Sequence, residues 1–146
     1  MSQLAILKSR VYSVYCLTDW NNHLYSGNSD NTIRKWNING GCAATLHGHT
    51  SAVRCLTVWN NHLYSGSYDQ TIRKWNENGE CVAILNDHTK AVNCLTVWNN
   101  HLYLGSDDNS IRKWNENDEC VAIFQYHTNF VDCLTVWNNH LYSGSS

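Results

Sequence analysis

His49, Ser65 and Asp69 fall within 21 residues of one another and are the residue types of an acyl-transfer triad. In such a triad the imidazole takes the hydroxyl proton while the carboxylate orients the ring. Four other histidines, His23, His62, His101 and His140, each follow an Asn-Asn pair, a regularity that raises the question of a metal site. The seven cysteines are odd in number and form no C-x-x-C pair. They suit neither a disulfide framework nor a zinc ribbon, and are expected as small, reduced, buried thiols. The one Gly-Gly turn, Asn39-Gly40-Gly41, leads into a strand and not into a helix N-terminus, so it makes no phosphate cradle.

These side chains are positioned by a repeat. The segment Cys-Leu-Thr-x-Trp-Asn-Asn-His-Leu-Tyr begins at Cys16, Cys55, Cys94 and Cys133, a period of 39 residues. Residues 16–54 and 55–93 agree at 27 of 39 positions, and 55–93 and 94–132 at 28, so successive units must adopt one structure. Arrays with this period are solenoids or propellers, and the local pattern decides between them. The second unit reads as four strands, 52–59, 63–67, 71–75 and 81–85, joined by turns at Asn60-Asn61, 68–70 and 76–80. Asn-Asn suits a tight hairpin because Asn tolerates φ > 0. A four-stranded antiparallel meander in about 40 residues is the blade of a β-propeller.

Naming the strands a to d, the chain is an all-β single array over 1–146. A leading d-strand, Leu4 to Leu7, precedes three complete blades near 11–46, 51–85 and 90–124. A trailing a-b hairpin then forms a partial blade of 129–146 with 4–7. The histidines after the Asn-Asn turns therefore lie a blade apart, too far for the roughly 2 Å bonds of zinc, and neither metal nor cofactor is expected.

Composition narrows the function classes. Ten Lys and Arg against twelve Asp and Glu give a net charge of −2, without the basic excess that nucleic acid or an anionic membrane requires. Apolar runs such as Cys81 to Leu85 are far shorter than the roughly 18 residues of a membrane span. Near the N-terminus the apolar stretch precedes Lys8 and Arg10, the reverse of a secretory signal, so a cytoplasmic or nuclear location is expected.

The Gly48-His49 dipeptide, the Ser65-Gly66-Ser67-x-Asp69-x-Thr71-Ile72-Arg73 run and the closing Trp75, in aligned copies, resemble the WD-repeat β-propeller family over essentially the whole chain. The resemblance implies a structural tetrad of His49, Ser65, Asp69 and Trp75 whose groups satisfy one another and pin the turns, in place of catalysis. It implies partial tetrads in the first blade (Ser26, Asp30 and Trp36, with Arg10 at the histidine position) and in the third (His88, Asp108 and Trp114, with Leu104 where the hydroxyl belongs). Asn37, Asn76 and Asn115 stand where the family has Asp, and Lys35, Lys74 and Lys113 precede the tryptophans; these lysines are expected to snorkel or lie on an aromatic face.

The repeats differ mainly on one rim, formed by the d-to-a and b-to-c loops. Tyr68, Lys90, Asp107 and Tyr126 lie there, and the start of strand a carries Tyr15, Arg54, Asn93 and Asp132 in turn. A non-catalytic scaffold presenting this rim to a protein or peptide partner is the expected function, with Tyr68, Arg54, Lys90, Asp107, Tyr126, Asn93 and Asp132 as contacts. The alternative is a glycan-binding propeller using Trp20, Trp59, Trp98 and Trp137 as repeated exposed platforms. Because a closed propeller has about four to eight blades, a self-assembling chain or a piece of a longer array is favoured over a closed monomer.

Overall fold

The computed structural model describes residues 11–146; the leading strand expected at Leu4 to Leu7 lies outside them. Fourteen strands appear among the described residues. They are β1 Val14–Trp20, β2 His23–Asn28, β3 Ile33–Trp36, β4 Cys42–Leu46, β5 Val53–Trp59, β6 His62–Ser67, β7 Ile72–Trp75 and β8 Cys81–Leu85, then β9 Val92–Trp98, β10 His101–Ser106, β11 Ile111–Trp114, β12 Cys120–Phe124, β13 Val131–Trp137 and β14 His140–Ser145. They form three four-stranded antiparallel meanders, β1–β4, β5–β8 and β9–β12, and a two-stranded hairpin, β13–β14.

Local chemistry sets the hairpins. Both asparagines of each a-to-b turn have positive φ, 46° and 54° at Asn60 and Asn61, which is the tight turn that matches strand twist. The following histidine belongs to the same device: Nδ1 of His23, His62, His101 and His140 bonds the carbonyl of Asn21, Asn60, Asn99 and Asn138 at 2.8 to 2.9 Å. Each imidazole is thus held in its own turn. At the c-to-d turn, the Asn76 side-chain oxygen accepts the backbone N–H of Asn78 and Glu80, both at 3.0 Å, while its amide donates to the Glu80 carboxylate at 2.7 Å. Asn115 repeats this with Asn117 and Glu119. Asn keeps the acceptor that Asp would supply and adds a donor for the glutamate.

The core lies between sheets. Trp20, Tyr25, Ile33 and Leu46 of the first sheet pack on Val53, Leu63 and Trp75 of the second. Trp59, Tyr64, Ile72 and Leu85 of the second pack on Val92, Leu102, Leu104 and Trp114 of the third. Tyr103 and Ile111 then meet Val131 of the hairpin. Gly27, Gly66 and Gly105 permit this approach: a Cβ on Gly66 would lie 2.6 Å from both the Cys55 sulfur and Val92 Cγ1.

All seven thiols are unpaired, but they are not uniformly buried as expected. Cys55 is buried and Cys16, Cys94 and Cys120 are half-buried, whereas Cys42, Cys81 and Cys133 are exposed. Cys42 and Cys81 open outermost strands, which have no further strand beyond them, as does the half-buried Cys120, and Cys133 lies on the uncovered last sheet. Burial pushes the Cys16 thiol up to about 11 and Cys94 to about 12, so the inner thiols stay protonated.

Candidate functional site

In the second blade four side chains join through hydrogen bonds. His49 Nδ1 lies 2.6 Å from the Asp69 carboxylate, His49 Nε2 lies 2.7 Å from Ser65 Oγ, and Trp75 Nε1 donates to the same Oγ at 2.8 Å. A carboxylate only accepts, so in the His49–Asp69 bond the imidazole Nδ1–H is the donor. Asp69 also accepts from the Thr71 hydroxyl at 2.6 Å and from the backbone N–H of Thr71 at 2.9 Å and Thr50 at 3.1 Å. Burial works against the Asp69 carboxylate, but the hydrogen bonds from His49 and Thr71 outweigh it and hold its pKa far below the usual range. The distances are those of a triad, yet Ser65 has no exposed surface and its oxygen is bonded by an indole N–H, so a substrate reaches it only if the blade opens.

The other blades show what each missing member costs. In the first, Trp36 Nε1 donates to Ser26 Oγ at 2.9 Å, and Asp30 accepts from the Thr32 hydroxyl at 2.6 Å and pairs with Arg34 at 3.0 Å. Its expected histidine position, Arg10, lies outside the described residues. In the third, Leu104 replaces the serine, and both ring nitrogens of His88 and Nε1 of Trp114 are buried without a partner. Desolvation first, then the Arg112 charge, lowers the pKa of His88 to about 4. Asp108 holds Ser110 N at 2.9 Å and pairs with Arg112 at 3.5 Å. A pair that motif reading missed sits on the hairpin, where His127 Nε2 lies 2.7 Å from Ser143 Oγ; its signal was the 39-residue spacing from His88 and Leu104. Lys74 lies 5.6 Å from the Tyr64 ring centroid and 3.0 Å from Asp118, and Lys113 lies 5.9 Å from the Tyr103 centroid.

The variable rim has a structural basis that strand alternation does not reveal. The a–b ladder skips one residue in every sheet: Val14 and Cys16, Val53 and Cys55, Val92 and Cys94, and Val131 and Cys133 are paired across β2, β6, β10 and β14. The residues left unpaired in these β-bulges are Tyr15, Arg54, Asn93 and Asp132, and a bulge re-aims its side chain. Arg54 is held between two rings, its guanidinium carbon 5.1 Å from the Tyr15 centroid and 4.6 Å from that of Tyr68, with Nη1 donating to Tyr68 Oη at 2.8 Å. Further round, Asn93 donates to Asp107 at 2.6 Å and to the Val131 carbonyl at 3.1 Å, and Asp132 accepts from the Ser146 hydroxyl at 2.8 Å. Lys90 is exposed, and Tyr126 projects almost fully into solvent with its ring stacked near Phe124. The rim residues thus form an arginine–tyrosine cluster and a carboxamide–carboxylate cluster, with Lys90 and Tyr126 apart from both.

The tryptophans expected as repeated platforms are placed differently. Trp20 and Trp59 are buried at 6% exposure each, tilted against Tyr25 and Tyr64 between sheets, and Trp98 is half-buried; Trp137 alone of the four is exposed. Packing by the following blade covers the first three. Among the described residues no group of three or more His, Cys, Asp or Glu could hold a metal ion, and no helix is long and apolar enough to cross a membrane.

Packed four-stranded antiparallel meanders, one of them pinned by a hydrogen-bonded tetrad, are the blades of a β-propeller. The chain belongs to the WD40 family (WD domain, G-beta repeat), whose pattern matches residues 1–37, 40–76 and 79–115. No curated protein matches it. Among solved structures it is similar to the computationally designed Ika4 protein (26% identity, TM-score 0.84, covering 99% of this chain and 92% of that one). It is similar also to the computationally designed Ika8 protein (27%, TM-score 0.82, 95% and 45%) and to the WD40 beta propeller domain of Doa1 (28%, TM-score 0.75, 85% and 44%). It therefore spans less than half the length of the latter two.

Proposed function

We propose that the chain is a non-catalytic scaffold that binds a protein or peptide through the bulged rim. The carrying observation is the Tyr15–Arg54–Tyr68 cluster, where a guanidinium with only one N–H bonded within the cluster is pre-positioned between two half-exposed rings. Arg and Tyr are the side chains that dominate interface energetics, and a fixed guanidinium favours a carboxylate of the partner. Asp107 and Asp132 on the later blades add a negative end to the same rim, so the segment recognised carries an acidic residue over the first blades and a basic one over the last. On the opposite rim the a-to-b turns repeat identically, and their histidines are engaged in those same turns. The unpaired thiols support a cytoplasmic or nuclear setting.

The test is selection of peptides from a displayed library on the wild-type chain and on the Arg54→Ala, Tyr68→Ala double variant. Peptides bearing an acidic residue should enrich on the wild type and be lost on the variant, whose melting temperature should fall by no more than about two degrees, as for surface sites. Equal enrichment on both would remove the rim assignment.

A further inference from the structure

One junction is built three times within the chain. Val53, Val92 and Val131 at the start of each following sheet press on Gly27, Gly66 and Gly105, where an added Cβ would lie 2.6 to 2.8 Å from a valine methyl. Beneath these contacts the Trp20–Tyr25, Trp59–Tyr64 and Trp98–Tyr103 pairs, all at 5.8 Å between centroids, are covered by the next blade. Lower still, the earlier sheet grips the next c-to-d turn: Tyr64 and Lys74 reach Asp118 at 3.1 and 3.0 Å, and Leu46 lies 3.7 Å from where a Gly79 Cβ would stand.

Among the described residues, the a- and b-strand part of one half of this junction and the whole of the other half are also present unmated. On β13–β14 the Trp137–Tyr142 pair has the same tilt at 6.0 Å, but Trp137 is 69% and Tyr142 46% exposed, and Gly144 meets nothing beyond the Cys133 sulfur of its own sheet. On the first sheet Leu17 is exposed, and a cavity of about 280 Å³ opens between Asp19, Leu24, Trp36, Ile38 and Gly40. Gly40 there occupies the repeat position of Gly79 and Asp118, the residues gripped in the internal junctions. Ile38, fully exposed, stands where the mated c-to-d turns carry Glu77 and Glu116. An apolar residue at the one such turn with no earlier sheet among the described residues suits an apolar occupant.

We infer that the β13–β14 face of one copy seats on the β1 face of a second copy, with Tyr142 entering the cavity beside Ile38 and Val14 covering Gly144. The occupant is a second copy because the two faces are the two sides of an interface the chain already makes with itself. Two such junctions close a two-copy ring of eight sheets. The length agrees: this chain covers 45% of the Ika8 protein and 44% of the Doa1 propeller domain, so two copies supply the length of one.

Light scattering on the full chain tests this. The expected mass is twice 16.7 kDa; a single-chain mass, or a polydisperse larger one, overturns the two-copy ring. Ile38→Lys and Tyr142→Glu, both at exposed positions, should each give the single-chain mass with an unchanged far-ultraviolet spectrum. Mixing the two should restore pairing, read by energy transfer between labelled variants, because one junction is then wild type and the other a Lys–Glu contact. Dissociation by only one variant, or no transfer on mixing, would indicate a face-to-face dimer and overturn the head-to-tail arrangement.

Discussion

The second and third blades are built from nearly the same residues, yet one serine separates a satisfied polar network from an unsatisfied one. In the second, Ser65 gives His49 a hydrogen-bond partner and Trp75 an acceptor. In the third, Leu104 fills the same place with hydrocarbon, and His88 and Trp114 keep their polar atoms buried without partners. The third blade replaces that serine contact with packing: Leu104 joins Trp114 and Val92 in the largest apolar cluster. Packing thus holds the blade, and the tetrad adds polar satisfaction on top of it.

The largest test of this difference is Ser65→Leu. It should cost about 4 kcal/mol in urea unfolding, since it orphans two buried groups and adds volume to a filled site. A loss below about 1 kcal/mol would mean that the tetrad contributes little beyond packing.

Acid separates the blades next. The folded pKa of His88, about 4, lies below its ordinary 6.5, so the unfolded chain binds the extra proton between those values. The His88 contribution should therefore lower stability by roughly 3 kcal/mol as pH drops from 6.5 to 4, with no further change from this group below. His88→Leu should remove that step from a series of urea midpoints, and a wild-type slope retained in the variant would assign it elsewhere. Asp69 acts with the same sign at lower pH: its pKa is also depressed, so its contribution is complete above the ordinary carboxylate value of 3.8 and is lost as pH falls below it.

The smallest effect is the reverse exchange, Leu104→Ser, which loses buried hydrocarbon but supplies the absent hydroxyl. It should change stability by less than about 1 kcal/mol. A loss equal to that of Ser65→Leu would show that the two blades are not equivalent frameworks.

Much of this was legible in the residues. The 39-residue period, the Asn-Asn turns and the alternating runs placed the strands, and in the second blade only their first residues moved: β5 starts at Val53, β6 at His62 and β7 at Ile72. The unpaired Nε2 of His88 follows from the leucine at 104, whereas its unpaired Nδ1 does not, because Asp108 is present but engaged with Ser110 and Arg112. What the sequence did not disclose is geometry that leaves the alternation pattern unchanged. A bulge shifts register by one residue without ending the strand, so the unpaired state of Arg54 could not be read from its neighbours. Nor could the fate of the four equivalent tryptophans, since Trp59 and Trp137 have the same flanking residues and differ only in whether a sheet follows them.

The bulges carry one last consequence. Because Tyr15, Arg54, Asn93 and Asp132 stand outside the ladder, replacing any of them disturbs no pairing that builds a sheet. Selection can therefore rewrite these four letters one at a time while the alphabet that spells the blades stays fixed, and duplicated units can acquire different recognition without first becoming different folds.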